Sequence, residues 1–249
     1  FILTHAMEEI EVATPELVAE FLPTFVPRQS LDVNDPVSIG AMVGPEAFTE
    51  VKYLGHFKQI KALEVIPELS KEFKKTFGRS AAGDHDFNGL LTEYQIDDAE
   101  IILVALGSII GTIKDVVDAE REKGIKVGVM GITSFRPFPS DEVRKRLKHG
   151  QKIVVVERAF APGIGGIVSS NIRTALGGID IDIRTVVAGL GGRPVTTNSI
   201  KDIIEKALYG ALPEFSFSEL NVELVEREVE RNLASRRSGP MAENLLKDL

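Results

Sequence analysis

The sequence predicts an α/β fold, a mostly parallel sheet with flanking helices, preceded by a helical connector and followed by a helical arm. Three observations predict it. After Tyr94, apolar runs of strand length alternate four times with segments of helical periodicity, the pattern of strands joined by crossover helices. The runs IILVAL at 101–106, KVGVMGI at 126–132 and KIVVVER at 152–158 are nearly continuous in apolar character, as strands covered on both faces must be. Before them, at 46–77, apolar residues recur only at helical spacing.

Residues 1–30 read as a short strand and a connection punctuated by Pro15, Pro23 and Pro27, each of which removes a backbone donor and fixes φ. This stretch is expected to end a preceding domain. Residues 31–94 form the connector, with Val51, Leu54, Phe57, Leu63, Ile66, Leu69, Phe73 and Phe77 on a helix that Gly78 stops. Pro67 is expected to kink that helix or divide it. The loop RSAAGDHDFNG at 79–89 lacks periodicity.

The α/β domain is placed at 95–212. Its first helix, near 109–123, gathers Ile109, Ile113, Val116 and Val117 on one face and ends at Gly124. The second, SDEVRKRLKHG, is expected to be capped by Ser140, with Asp141 and Glu142 in the first turn and positive charge from Arg144 to His149 matching the macrodipole. The glycine-rich FAPGIGG at 160–166 leads into a helix carrying Val168, Ile172, Ala175 and Leu176. Ile179, Ile181 and Ile183 alternate with Asp180, Asp182 and Arg184 before TVVAGL, so the fourth strand is expected to begin half exposed. The last helix places Ile200, Ile203, Ile204, Ala207 and Leu208 on one stripe.

Beyond Pro213 lies the arm, 213–249. Ser216 and Glu219 have capping-box spacing, and Phe215 and Leu220 hold the places of a hydrophobic staple, so a helix is predicted from here to about Leu233. RRSGP should break it, and MAENLLKDL should form one more short turn. With so narrow an apolar stripe the arm is expected to lie on another surface.

The formal charge of −8 and the pI near 5.2 argue against nucleic acid or an anionic membrane as partner, because both carry the same sign. The chain has 0 Cys, which removes disulfides, thiolate nucleophiles and iron–sulfur clusters held by its own sulfurs. No apolar run approaches the ~20 residues that span a bilayer, and the opening lacks the features of a secretory signal. A cytoplasmic protein is expected, with Phe1 marking a piece of a longer chain or one half of a processed one.

Ligands and partners of open α/β sheets gather beyond the carboxyl ends of the strands. There the sequence places Gly107 and Ser108 with Gly111 and Thr112, then FRPFP at 135–139, then Glu157 and Arg158 with PGIGG at 162–166, then GLGGR at 189–193. Parallel strands would bring three arginines and two glycine-rich turns to one edge, where helix N-termini also favour an anion. Ser108, Arg136, Glu157, Arg158 and Arg193 are therefore the candidates for an anion site or an interface. The structural alternative leads: tight turns, and ion pairs such as Arg136 or Arg158 with Glu157. PGIGG is not a dinucleotide fingerprint, since that would need glycine at Val168, and no Walker lysine follows. His5, His56, His85 and His149 lack metal-ligand spacing, DHD at 84–86 reads as a solvated loop, and GSIIG is not the G-x-S-x-G elbow.

The order GSIIGTIKDVVDAEREKGIKVGVMGITSFRPFP, then VVVERAFAPGIGG, then VVAGLGGRPVT, with GAMVGPEAF and KTFGRS upstream, resembles the alpha subunit of the pyruvate and 2-oxoacid:ferredoxin oxidoreductases, up to about Leu208. The resemblance implies a transketolase C-terminal-like domain, with the pyrimidine-side domain lying before Phe1. It implies oxidative decarboxylation of a 2-oxoacid, usually to an acyl-CoA, with electrons passing to ferredoxin. Thiamine pyrophosphate and iron–sulfur clusters would belong to the complex, held by a thiamine pyrophosphate-binding subunit and a ferredoxin-like subunit of a hetero-oligomer. No catalytic, cofactor-binding or metal-binding residue carries over to this chain. Glu157–Arg158 replaces the commoner aspartate–arginine pair, and IVSSNI follows PGIGG where a proline and an acidic residue are usual. The substrate stays open among pyruvate, a branched 2-oxoacid, 2-oxoglutarate and oxalate. Alternatives are the C-terminal domain of a transketolase or of a 2-oxoacid dehydrogenase beta subunit, or an interaction or anion-binding module without catalysis.

Overall fold

In a computed structural model, which describes residues 11–37, 40, 42–80, 88–147 and 151–235, the apolar runs form the parallel strands expected of them. Helices α1 (Pro15–Phe21) and α2 (Phe48–Phe77) come first, followed by β1 (Leu91–Tyr94), β2 (Ile101–Ala105) and α3 (Ile109–Arg121). Then come β3 (Val127–Ile132), α4 (Ser140–Arg146), β4 (Lys152–Glu157), the two short strands β5 (Phe160–Ala161) and β6 (Gly165–Gly166), and α5 (Ile167–Ala175). The described chain closes with β7 (Asp182–Val187), α6 (Thr197–Leu208), β8 (Phe215–Phe217) and α7 (Val222–Ser235).

The sheet has six strands in the order β1-β3-β2-β4-β7-β8. β1 pairs antiparallel with β3, and every other pairing is parallel. Alternate residues along each strand go to opposite faces. Ile102, Val104, Met130, Ile153 and Val155 meet α4 and α5 through Val143, Val168, Ile172 and Ala175. Ile101, Leu103, Val129, Val154 and Val156 meet α3 and α6 through Ile113, Val116, Val117, Ile200, Ile203 and Ile204. Each such side chain contributes roughly 1.5–3 kcal/mol by leaving water, which makes these two layers the main source of stability.

Several expectations require correction. α2 runs unbroken through Pro67, so the division into two helices does not occur. Its end is as expected, with Gly78 at φ 71° and its N–H donated to the Lys74 carbonyl. Ser140 does not cap α4; it is the first helical residue, the cap position falls on Pro139, and no side-chain cap bond forms. The charge pattern around that helix stands, with Asp141 and Glu142 in its first turn and Arg144 to Arg146 in its last. β7 begins at Asp182, later than the isoleucine alternation from 179 suggested.

The largest correction lies after Pro213. Phe215–Phe217 is an edge strand of the sheet, parallel to β7, with Thr185 donating to the Glu214 carbonyl and Ser218 donating to that of Val187 at 2.8 Å. Glu219 sits at φ 56°, a left-handed conformation that cannot be the third residue of a helix. What overrides the local capping signal is pairing with β7 together with aromatic contact: the Phe160 ring lies 5.2 Å from Phe217 and 6.1 Å from Phe215. The helix starts at Val222 instead, where the Asn221 side chain accepts from the Leu224 N–H at 2.9 Å. The sheet thus takes in residues on both sides of the expected 95–212, since β1 lies before 95 and β8 after 212. The short strand expected near Phe1, the loop residues 81–87, the end of the second domain helix at 148–150, and the RRSGP and MAENLLKDL segments lie outside the described residues.

Candidate functional site

The parallel strands deliver their carboxyl ends to one edge, and the five candidate residues sit there in separate environments. Ser108 opens α3 in helical conformation, exposed, with no cap bond from its side chain. Arg136 is exposed and turned onto its own neighbour: its guanidinium lies 4.0 Å over the Phe135 ring and donates to the Phe135 carbonyl. The strand order β3-β2-β4 puts two strand spacings, about 10 Å, between the end of β3 and that of β4. Arg136 therefore stands apart, and the three arginines do not form one cluster.

Glu157 is buried at the end of β4, and neither arginine pairs with it. Its carboxylate accepts from the backbone N–H groups of Val168 at 2.7 Å and Ser169 at 2.9 Å. These are free donors of the first turn of α5, so a side chain eleven residues upstream performs the capping that Gly166, which has no side chain to offer, leaves undone. The acid also dictates the glycine. A Cβ on Gly166 would lie 2.0 Å from Glu157 Oε1 and 2.5 Å from Ser169 Oγ. The expected anion position at this helix N-terminus is thus filled by the protein's own carboxylate.

Arg158 and Arg193 both border Gly189, Arg158 by its side chain and Arg193 by its backbone carbonyl. That glycine has φ 79°, and a Cβ on it would lie 3.8 Å from Arg158 Cδ and 3.4 Å from a Val195 methyl. The turn it opens, a single 3-10 turn at Leu190–Gly192, closes on Arg193. Arg193 Nη1 donates to the Glu219 carbonyl oxygen, while the Glu219 carboxylate accepts from Ser199 Oγ. Among the described residues neither Arg158 nor Arg193 forms an ion pair.

Between β7, β8 and this turn lies a cavity of about 210 Å³ lined by Val187, Gly189, Leu190, Arg193, Phe217, Ser218 and Leu220. Sequence reasoning missed the three residues that β8 and its successor bring. The alternation of Phe215 and Phe217 around Ser216 was the available signal, and the capping-box spacing obscured it. Among the described residues no group of three His, Asp or Glu side chains could hold a metal ion, and no helix is long and apolar enough to cross a membrane. His5, His85, His149 and DHD at 84–86 lie outside the described residues.

Residues 99–200, which span β2 to the start of α6, match the family model of the pyruvate:ferredoxin oxidoreductase core domain II. The α/β domain belongs to the pyruvate:ferredoxin oxidoreductase core domain II family. The chain is 36% identical over 232 residues to pyruvate synthase subunit PorA of Methanosarcina barkeri, covering 90% of the chain and 56% of that relative. It is 34% identical over 208 residues to ketoisovalerate oxidoreductase subunit VorA of Pyrococcus abyssi, covering 82% of the chain and 51% of that relative. The chain thus spans about half the length of the curated relatives it matches. Among solved structures, the 2-oxoglutarate:ferredoxin oxidoreductase from Magnetococcus marinus aligns at a TM-score of 0.38 and 21% identity over 55% of the chain and 22% of its own. The core domain II match sets aside the transketolase and dehydrogenase alternatives.

Proposed function

We propose that this chain is the structural and assembly part of a thiamine pyrophosphate-dependent 2-oxoacid:ferredoxin oxidoreductase, and that the reacting groups lie on other domains or subunits. The reaction is oxidative decarboxylation of pyruvate or a branched 2-oxoacid, with acyl transfer to coenzyme A, release of carbon dioxide and electrons passing to ferredoxin. The observation that carries the reading is the extended match to pyruvate synthase and ketoisovalerate oxidoreductase subunits across the whole α/β domain. Glu157 supports the division of labour, because the buried acid at the ligand-prone edge is committed to holding α5.

The partners are a thiamine pyrophosphate-binding subunit and a ferredoxin-like subunit within a cytoplasmic hetero-oligomer. With 0 Cys in these 249 residues, the thiolates of any iron–sulfur cluster come from outside them. Purification of the natural protein followed by mass spectrometry is expected to find co-purifying Cys-rich subunits, and the assembly to reduce ferredoxin when given pyruvate or 3-methyl-2-oxobutanoate with coenzyme A. Turnover by the chain alone would place the chemistry here and overturn the division of labour.

A further inference from the structure

We infer that the Gly189 corner is a docking point for an acidic segment of another polypeptide that carries one large apolar side chain. The inference rests on the assembly role proposed above and gives it a place and a chemistry. The cavity of about 210 Å³ has apolar walls in Val187, Leu190, Phe217 and Leu220. Since a cavity of ~150 Å³ accepts benzene, this one has room for a single leucine, isoleucine or phenylalanine side chain. Leu190 and Leu220 at its rim are 43% and 50% exposed, so the walls are wetted in the chain alone.

Arg158 and Arg193 stand at the same corner. Arg193 gives one of its N–H groups to a carbonyl oxygen, neither residue has a carboxylate partner among the described residues, and the chain as a whole carries −8. An incoming surface that buried these cations would have to supply carboxylates, because a desolvated unpaired charge is strongly unfavourable. The apolar area also extends past the cavity. Ile164, at the turn of the β5–β6 hairpin, is 79% exposed, and that hairpin is seated on the Phe215 ring of β8. A free phosphate would satisfy the guanidiniums and leave all of this apolar surface in water, whereas a polypeptide covers both.

The test uses the purified multisubunit enzyme. Phenylglyoxal labelling read by mass spectrometry is expected to modify Arg158 and Arg193 far more slowly than the exposed Arg144 of α4. Changing Arg158→Glu and Arg193→Glu together is expected to weaken assembly on the order of hundredfold, with the variant chain still melting cooperatively and its melting temperature lowered only by loss of the Arg193–Glu219 bond. Labelling of both arginines as fast as Arg144 in an intact assembly overturns the docking and leaves the functional reading standing. Protection of both by inorganic phosphate or 3-methylbutanoate, with assembly indifferent to charge reversal, makes the corner a small-anion site and also overturns it. If no other polypeptide co-purifies, the functional reading and the docking fall together.

Discussion

A single carboxylate at the end of β4 fixes the start of α5, and its contribution can be read directly. Glu157→Ala removes a charged acceptor from two buried N–H groups and is expected to lower stability by about 2–3 kcal/mol, seen as a lower urea midpoint at unchanged slope. Glu157→Gln keeps one acceptor oxygen and should lose less. Gly166→Ala is expected to destabilise through collision with that carboxylate, since its extended backbone is open to alanine. In the Glu157→Ala background the same substitution should cost less, and strict additivity of the two would refute the contact.

Glu93 shows the opposite balance. It sits on β1, 2.9 Å from Arg146 of α4 but out of line for a hydrogen bond with it. Burial raises its pKa above the ordinary carboxylate value, Arg146 opposes the rise, and Asp97 and Glu142 add to it. A carboxyl whose pKa is raised on folding favours the folded state while protonated, and that contribution is lost as pH rises through the folded pKa. Glu93→Gln should therefore be best tolerated relative to wild type at neutral pH and lose its relative advantage on acidification through the carboxylate range. Urea titrations of both proteins at the two ends of that range check this; an advantage that grows on acidification would reverse the sign.

At the scale of elements, the parallel strands and the helices α3, α5 and α6 were legible because each carries its own periodicity, and the two-sided burial of β2, β3 and β4 confirms the continuous apolar runs. The edge strands were not. β1 is LTEY, four residues with no apolar run, defined by its pairing with β3. β8 has three residues whose partners, Phe160 and β7, are distant in sequence. The site suffered for the same reason: the start of α5 after PGIGG was legible, but not that the β5–β6 hairpin returns the chain to bring that start back onto the Glu157 carboxylate. A sharp expectation follows for the chain's end. Truncation before Pro213 is expected to cost about 3–5 kcal/mol by removing β8 and its aromatic contacts, whereas truncation after Leu220 should leave the sheet intact. Thermal melts of the two variants separate these outcomes, and equal melting would demote β8 to a surface attachment.

For the whole molecule the unusual feature is α2, 30 residues long, with no buried residue along its length. At 1.5 Å per residue it extends about 45 Å, longer than any strand of the sheet. Its two halves differ. The second half is seated: Leu63 and Ile66 pack against the core, and the Phe73 and Phe77 rings meet Phe21 of α1. The first half shows Phe48, Val51, Tyr53, Leu54, Phe57 and Ile60 to solvent. A helical stretch of about a dozen residues is marginal in water without packing, so this half is held by continuity with the seated one. Hydrogen exchange read by mass spectrometry on the chain alone is expected to show fast exchange over 48–60 and slow exchange over 63–77, with a boundary inside one continuous helix. In the assembled enzyme the first half should slow, because burying that apolar surface is what would stabilise it. Uniform slow exchange along α2 in the chain alone would mean that its apolar face is already covered, by a second copy, and a sedimentation measurement at the same concentration would then have to show a dimer.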